Sequence, residues 1–180
     1  MGGGEWVSTS MPYLTPQDTS AADAWRTEAA ARGGTGRQRI VRAGEVAAPA
    51  GVAEAFGLTE GAPVVVRRRV MYIDELPCEL TDTYYPVEIA RGTRLAEVGK
   101  IPGGAVTLLR ELGHRGVRVR EDITAELPES DASETLHLGP TEPVLRIART
   151  TMDSYNRAIQ FDMMTMPARL QRLRYEIRIG

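Results

Sequence analysis

A single cysteine, Cys78, leaves no partner for an internal disulfide, and two histidines, His114 and His137, show no metal-ligand spacing. Neither a disulfide framework nor a zinc site therefore organises this chain. Lysine is nearly missing too: Lys100 stands alone among 22 cationic residues, a bias of composition rather than of chemistry. Charge of one sign is also lacking, since 22 Lys+Arg face 24 Asp+Glu for a formal net charge of −2. No global basic field exists to hold nucleic acid or an anionic membrane, so if this chain serves DNA, another module or chain touches it. Nowhere do about 18 uncharged apolar residues run together, and the start "MGGGEWVSTS" has neither the basic nor the apolar part of a secretory signal. A soluble, cytoplasmic protein is expected. What remains is a 180-residue chain, long enough for one domain with a sizeable core.

The chain divides into residues 1–37, an N-terminal arm and short helix, and residues 38–180, the body. The first 16 residues are Gly, Ser, Thr and Pro in character and read as an irregular arm whose Trp6 and Tyr13 dock on the body. "SAADAWRTEAAARGG" predicts a short helix with Ser20 as N-cap and Gly33-Gly34 as its stop. Strand-like runs follow: "RQRIVRAGEV", "VVVRRRVMYID", "CELTDTYYP", "VRVREDITAEL", "PVLRIARTTMD", "AIQFDMMTM" and "RLRYEIRI". The last alternates Leu173, Tyr175, Ile177 and Ile179 with charged residues. Helical pieces fall at 52–56, 105–112 closed by Gly113, and 132–136. This order predicts an α+β protein, an antiparallel sheet with helices packed on one face. There is also an internal echo: Leu58, Pro63, Val64 and Arg69 recur as Leu138, Pro143, Val144 and Arg149. If the echo is structural, two helix–hairpin units are related by a pseudo-twofold, with a cleft where they meet.

The three arginines of "VVVRRRV" pose the sharpest question. Strand alternation puts Arg67 and Arg69 about 7 Å apart on one face and Arg68 on the other. Their neighbours depend on the turn. A two-residue loop, Asp74-Glu75, sets Arg67 opposite Asp82 and Arg69 opposite Leu80, giving an ordinary cross-strand ion pair. A three-residue loop, 74–76, sets Arg67 opposite Thr83 and Arg69 opposite Thr81, giving two cations and two hydroxyls with only Glu79 as a nearby carboxylate. That second patch suits an anionic or carbonyl-bearing ligand. Spacing alone leaves both registers open.

Three segments carry a resemblance: "GLTEGAPVVVRRRVMYIDELPCELTDTYYP", "GKIPGGAVTLLRELGHRGVRVREDITAELP" and "LGPTEPVLRIARTTMD" with the terminal "LRYEIRI". Together they resemble the UTRA domain, the effector-sensing half of HutC-type regulators of the GntR family. The likeness covers roughly residues 38–180. It implies a chorismate lyase-like fold, an antiparallel sheet flanked by helices, with a ligand cleft that signals to an N-terminal winged-helix DNA-binding domain. The first 37 residues lack the apolar periodicity and basic recognition helix of such a reader. The chain is then either a free-standing sensor or a fragment, acting on DNA through a separate or missing winged-helix module. The resemblance favours the second hairpin register and makes Arg69, helped by Arg67, the ligand-facing cation.

Relatives that sense phosphosugars carry an Arg-x-Arg pair that falls on Arg69 and Met71 here. Their glutamate on the returning strand falls on Thr81, their helix-opening serine on Gly104 and their later acidic position near Gln160. Much of the equipment for a sugar phosphate is gone. Met71, Met164 and Met166, with Gln160 and Asp162, make a softer and more polarisable pocket. Gly103-Gly104, ahead of the helix that opens at Ala105, offers backbone N–H groups that can cradle an anion, and Glu121 is expected to pair with Arg69 or hold a ligand donor. The candidate ligand-binding set is therefore Arg67, Arg69, Met71, Thr81, Thr83, Gly104, Ala105, Glu121, Gln160, Asp162, Met164 and Met166. The expected partners are a carboxylate or largely apolar metabolite rather than a phosphosugar, and a second copy in a homodimer; no cofactor, metal or membrane is expected. No nucleophile arrangement or acid–base pair argues for an enzyme. The alternatives are a chorismate lyase-like enzyme acting on a small carboxylate, or a ligand-free dimerisation scaffold.

Overall fold

Period-two alternation of valine, isoleucine and threonine with polar residues builds most of this chain into one twisted sheet. The structure is a computed structural model and describes residues 7–8, 10–15, 24–31 and 33–175. Along it run β1 (Val7–Ser8), α1 (Met11–Leu14), α2 (Ala24–Ala31), β2 (Gly36–Ala47), α3 (Ala50–Phe56), β3 (Pro63–Ile73), β4 (Leu76–Pro86) and α4 (Val87–Ala90). After a 3₁₀ turn at Arg94–Ala96 come α5 (Gly104–Glu111), β5 (Arg118–Glu126), α6 (Ser130–Thr135), β6 (Val144–Met152), β7 (Ala158–Pro167) and β8 (Arg172–Leu173). None of the described helices is long and apolar enough to cross a membrane.

Six strands form an antiparallel sheet in the order β2-β3-β4-β7-β6-β5. That order is palindromic in kind: α3–β3–β4 and α6–β6–β7 are like units whose second strands meet at the β4–β7 seam, where Asp82 faces Met163. The echo in the sequence has a backbone counterpart. Gly57 and His137, eighty residues apart, both leave their helices in the left-handed conformation, with φ of 66° and 54°. Arg69 and Arg149 take equivalent places, opposite Thr81 and Asp162.

Helices cover both faces of the sheet, where sequence order suggested one. Val52 and Ala53 of α3 pack on Val64 and Phe161, and Ala132 of α6 with Leu136 packs on Val70 and Leu80. The other face holds Val65 and Tyr85 under Ile89, Leu95, Ile101 and Leu109. Further along that face Trp25 of α2 seals Met71 and Cys78. Because both faces are apolar over much of their area, β3 and β4 read as near-continuous buried runs rather than alternating ones.

The hairpin takes the second register, Arg67 opposite Thr83 and Arg69 opposite Thr81, by a route that turn length alone did not suggest. The loop has two residues: Ile73 pairs with Leu76, and Asp74 adopts φ 53°. One extra residue, Cys78, then bulges between Pro77 and Glu79 and moves every later pair by one. Its thiol donates to the Met71 carbonyl at 3.4 Å, and burial pushes its pKa well above the usual thiol range.

The chain ends differ from expectation. The arm contains a short helix, α1, and Tyr13 packs beside Trp25 and Met71, whereas Trp6 and Ser20 lie outside the described residues. Among the described residues the terminal run does not join the main sheet: Arg172–Leu173 is a strand paired in parallel with Val7–Ser8, Tyr175 is exposed, and 176–180 lie outside the described residues. Alternation identifies a strand with two unlike faces, but it does not say which neighbour the strand finds.

Candidate functional site

Between the α5 face of the sheet and the chain ends lies a cavity of about 750 Å³, within the usual size of a small-molecule site. Strands β3, β4, β7 and β6 form its floor, so residues two apart on each strand point into it. From β3 come Arg67, Arg69 and Met71; from β4, Thr81 and Thr83; from β7, Gln160, Asp162, Met164 and Met166. Gly104 and Ala105 complete one wall. The structure thus brings together eleven of the twelve candidates, and the twelfth, Glu121, stands just outside, bonded to the lining residue Arg149.

The two candidate arginines behave differently. Arg67 is 4% exposed, and its guanidinium reaches across to a loop, donating through Nη1 to the carbonyl oxygens of Arg94 at 2.9 Å and of Glu97, and through Nη2 to that of Gly99 at 2.7 Å. Burial, with the charge of Arg69 beside it, lowers its pKa, and the carbonyls take the place of lost water. Arg67 therefore holds the wall of the cavity in place. Arg69 has no ion pair among the described residues; its Nη2 donates to Thr83 Oγ1 at 3.1 Å, and its buried Nε has no partner.

A polar relay continues from Arg69. Thr83 Oγ1 accepts from Arg69 and donates to Asp162 Oδ1 at 2.7 Å, while Gln160 Nε2 donates to Asp162 Oδ2 at 2.8 Å. Asp162 balances the arginine only through the threonine between them. Glu79 stands opposite Met71 on the neighbouring strand, accepting from the Thr81 hydroxyl. Burial raises its pKa, opposed by Thr81 and by the charges of Arg69 and Arg149. Folding thus favours its proton, so its stabilising contribution is complete below the usual carboxylate range and is lost as pH rises through the raised value. Glu79→Gln, which mimics the protonated form, should leave the unfolding midpoint unchanged near pH 4 and raise it at pH 7.5. Thermal unfolding at the two pH values checks this.

The opposite end is mostly apolar, with Met71, Met164, Met166 and Ile147 near Glu79. Gly104 is left-handed at φ 82° and gives its N–H to the Ile101 carbonyl at 3.0 Å, so this diglycine serves a turn. Glu121 pairs with Arg149 at 2.6 Å, not with Arg69, because β5 borders β6 and lies four strands from β3. Arg149 is a lining residue that sequence reasoning passed over, although the echo of Arg69 at position 149 pointed to it. Arg68 faces away from the cavity, as alternation predicts, and is paired with Asp82 at 2.7 Å and Asp131 at 2.6 Å. The hollow of about 360 Å³ on that outer face has its other arginine, Arg146, bonded to Glu126. Among the described residues no group of three His, Cys, Asp or Glu side chains could hold a metal ion.

Residues 31–172 match the UTRA domain family. An uncharacterized HTH-type transcriptional regulator of Streptomyces coelicolor is 33% identical over 119 residues; the match covers 64% of this chain and spans 44% of that regulator's length. Among solved structures, PhnF of Mycobacterium smegmatis superposes with a TM-score of 0.75 at 19% identity, covering 89% of this chain and 71% of that one. The C-terminal domain of the histidine utilization repressor of Pseudomonas syringae pv. tomato superposes with a TM-score of 0.69 at 20% identity, over 80% of this chain and 99% of that one. Sheet order, helix placement and sequence agree: this chain belongs to the UTRA domain family and has the fold of the effector-binding domains of GntR-family transcriptional regulators.

Proposed function

We propose that the cavity takes a small effector with one anionic group, most simply a carboxylate, on a largely apolar body. The observation that carries this reading is the Arg69 guanidinium, unpaired and with a buried donor left over, at the polar end of a cavity whose other end is methionine. A carboxylate there satisfies the orphan donor, while the methionines adapt to the body. A sugar phosphate suits the site poorly, because Arg149 is already neutralised by Glu121. Binding shifts a conformational equilibrium that a winged-helix module reads on DNA. In this reading the protein is a cytoplasmic homodimer and a sensor rather than an enzyme.

A thermal-shift series compares monocarboxylates of increasing apolar length with sugar phosphates. Alkyl or aryl monocarboxylates at about 100 times their Kd should stabilise by about 2.7 kcal/mol, raising the midpoint by roughly 5–10 °C. Stabilisation by sugar phosphates alone would overturn the reading. Native mass spectrometry of protein purified from its own cells then identifies the occupant.

A further inference from the structure

Four groups from four parts of the chain converge at the cavity's edge. Glu121 Oε1 on β5 accepts from Arg149 Nε on β6 at 2.6 Å and from Ser10 Oγ, just ahead of α1, at 2.6 Å. The hydroxyl of Tyr175, beyond β8, donates to Glu121 Oε2 at 3.0 Å, and Arg149 Nη2 donates to Ser10 Oγ at 3.0 Å. The ion pair at the centre is shielded, its side chains 9% and 10% exposed. Burial works against a charged Glu121, but the Ser10 hydroxyl, Arg149 and Tyr175 together outweigh it and hold the carboxyl below its usual pKa.

The segments gathered there are also those that border the cavity. Ser10, Pro12, Tyr13 and Thr15 from one chain end, and Leu173 and Tyr175 from the other, all line it. Parallel pairing of Val7 with Arg172 and of Ser8 with Leu173 joins the two ends into one strap. Leu173 packs over Ile147, Met164 and Met166. Tyr13 of the strap also donates to Glu28 of α2 and packs beside Trp25, while the strap's strands are two residues long and α1 has no buried residue. Short, sparsely packed segments open locally at low cost.

We infer that Glu121 is a positioning residue, a latch that pins residues 10–15 and 172–175 over the cavity through Ser10 and Tyr175 while holding Arg149 against the floor. An effector reaching the methionine end meets Leu173 and Tyr13 on the strap, and a carboxylate near Arg149 competes with Glu121. Filling the cavity and moving the chain segment ahead of β2 become one event, which gives the sensor a mechanical output. This role rests on the effector-sensing reading, but the latch itself can be tested without any effector.

The test is amide hydrogen exchange on the whole chain, comparing wild type with Glu121→Gln and Tyr175→Phe. In Glu121→Gln, exchange should quicken by about tenfold or more at residues 11–15 and 172–175 while β3 and β4 amides stay unchanged. Tyr175→Phe, which removes one hydrogen bond and leaves the ion pair, should give a smaller increase of roughly threefold at the same places. Strap exchange within twofold of wild type in both variants would overturn the latch, as would acceleration spread equally over β3. A failed effector screen alongside a positive exchange result would remove the sensor reading and leave the latch standing.

Discussion

Replacing Arg67 with alanine should lower the stability of the domain by about 3 kcal/mol, a fall of roughly 6–12 °C in the unfolding midpoint for a chain of this size. The guanidinium donates to carbonyls of Arg94, Glu97 and Gly99, and it does so from a position 4% exposed. Charge-assisted hydrogen bonds contribute about 1.5–3 kcal/mol each when neither partner can turn to water. The sum is reduced here because the loop carries the exposed Val98 and can rehydrate after truncation. Lysine is not an adequate substitute: one ammonium cannot present a planar fork to three carbonyls spread over six residues. Thermal unfolding of Arg67→Ala and Arg67→Lys measures both effects. A midpoint within about 2 °C of wild type for the alanine variant would show that these contacts do not hold the loop.

Arg69→Met should have the opposite signature two residues away. Binding of a monocarboxylate effector should weaken by about a hundredfold, close to 3 kcal/mol, because a cation at the polar end that has no ion pair among the described residues is gone. Stability of the unliganded protein should hold or rise by up to about 1 kcal/mol, since a buried donor without an acceptor disappears and an apolar chain fills similar space. A residue kept for the fold loses stability on removal, whereas one kept for a ligand loses binding. Calorimetric titration with the best monocarboxylate from the thermal-shift series, alongside unfolding of the same samples, separates the two. Unchanged affinity would remove Arg69 from the site.

These neighbours were read alike in the sequence, and their separation shows where such reading stops. Alternation assigned both arginines to one face and Arg68 to the other, correctly in each case. It could not show that Arg67 meets backbone carbonyls, because a carbonyl is present at every residue and leaves no mark in the letters. The hairpin register has the same character. Chemistry on β4 depended on one bulged residue, and nothing about Cys78 in isolation distinguishes a bulge from a paired position. Arg149 is the contrary case: its echo of Arg69 was present in the sequence, and only the sheet shows both occupying equivalent places over one cavity.

By itself the sequence determined the six strands of the main sheet and most helices, since these follow from local periodicity and from stops such as Gly33 and Gly113. It also settled the family, because the helix–hairpin landmarks keep their order along the chain. Tertiary structure decided that Arg69 has no ion pair among the described residues, which face each helix covered, and that residues 10–15 and 173–175 border the cavity. Those outcomes turn on contacts between residues as many as 165 positions apart, as between Val7 and Arg172. Such contacts are selected by competition among many possible partners in three dimensions, and no local pattern encodes the result.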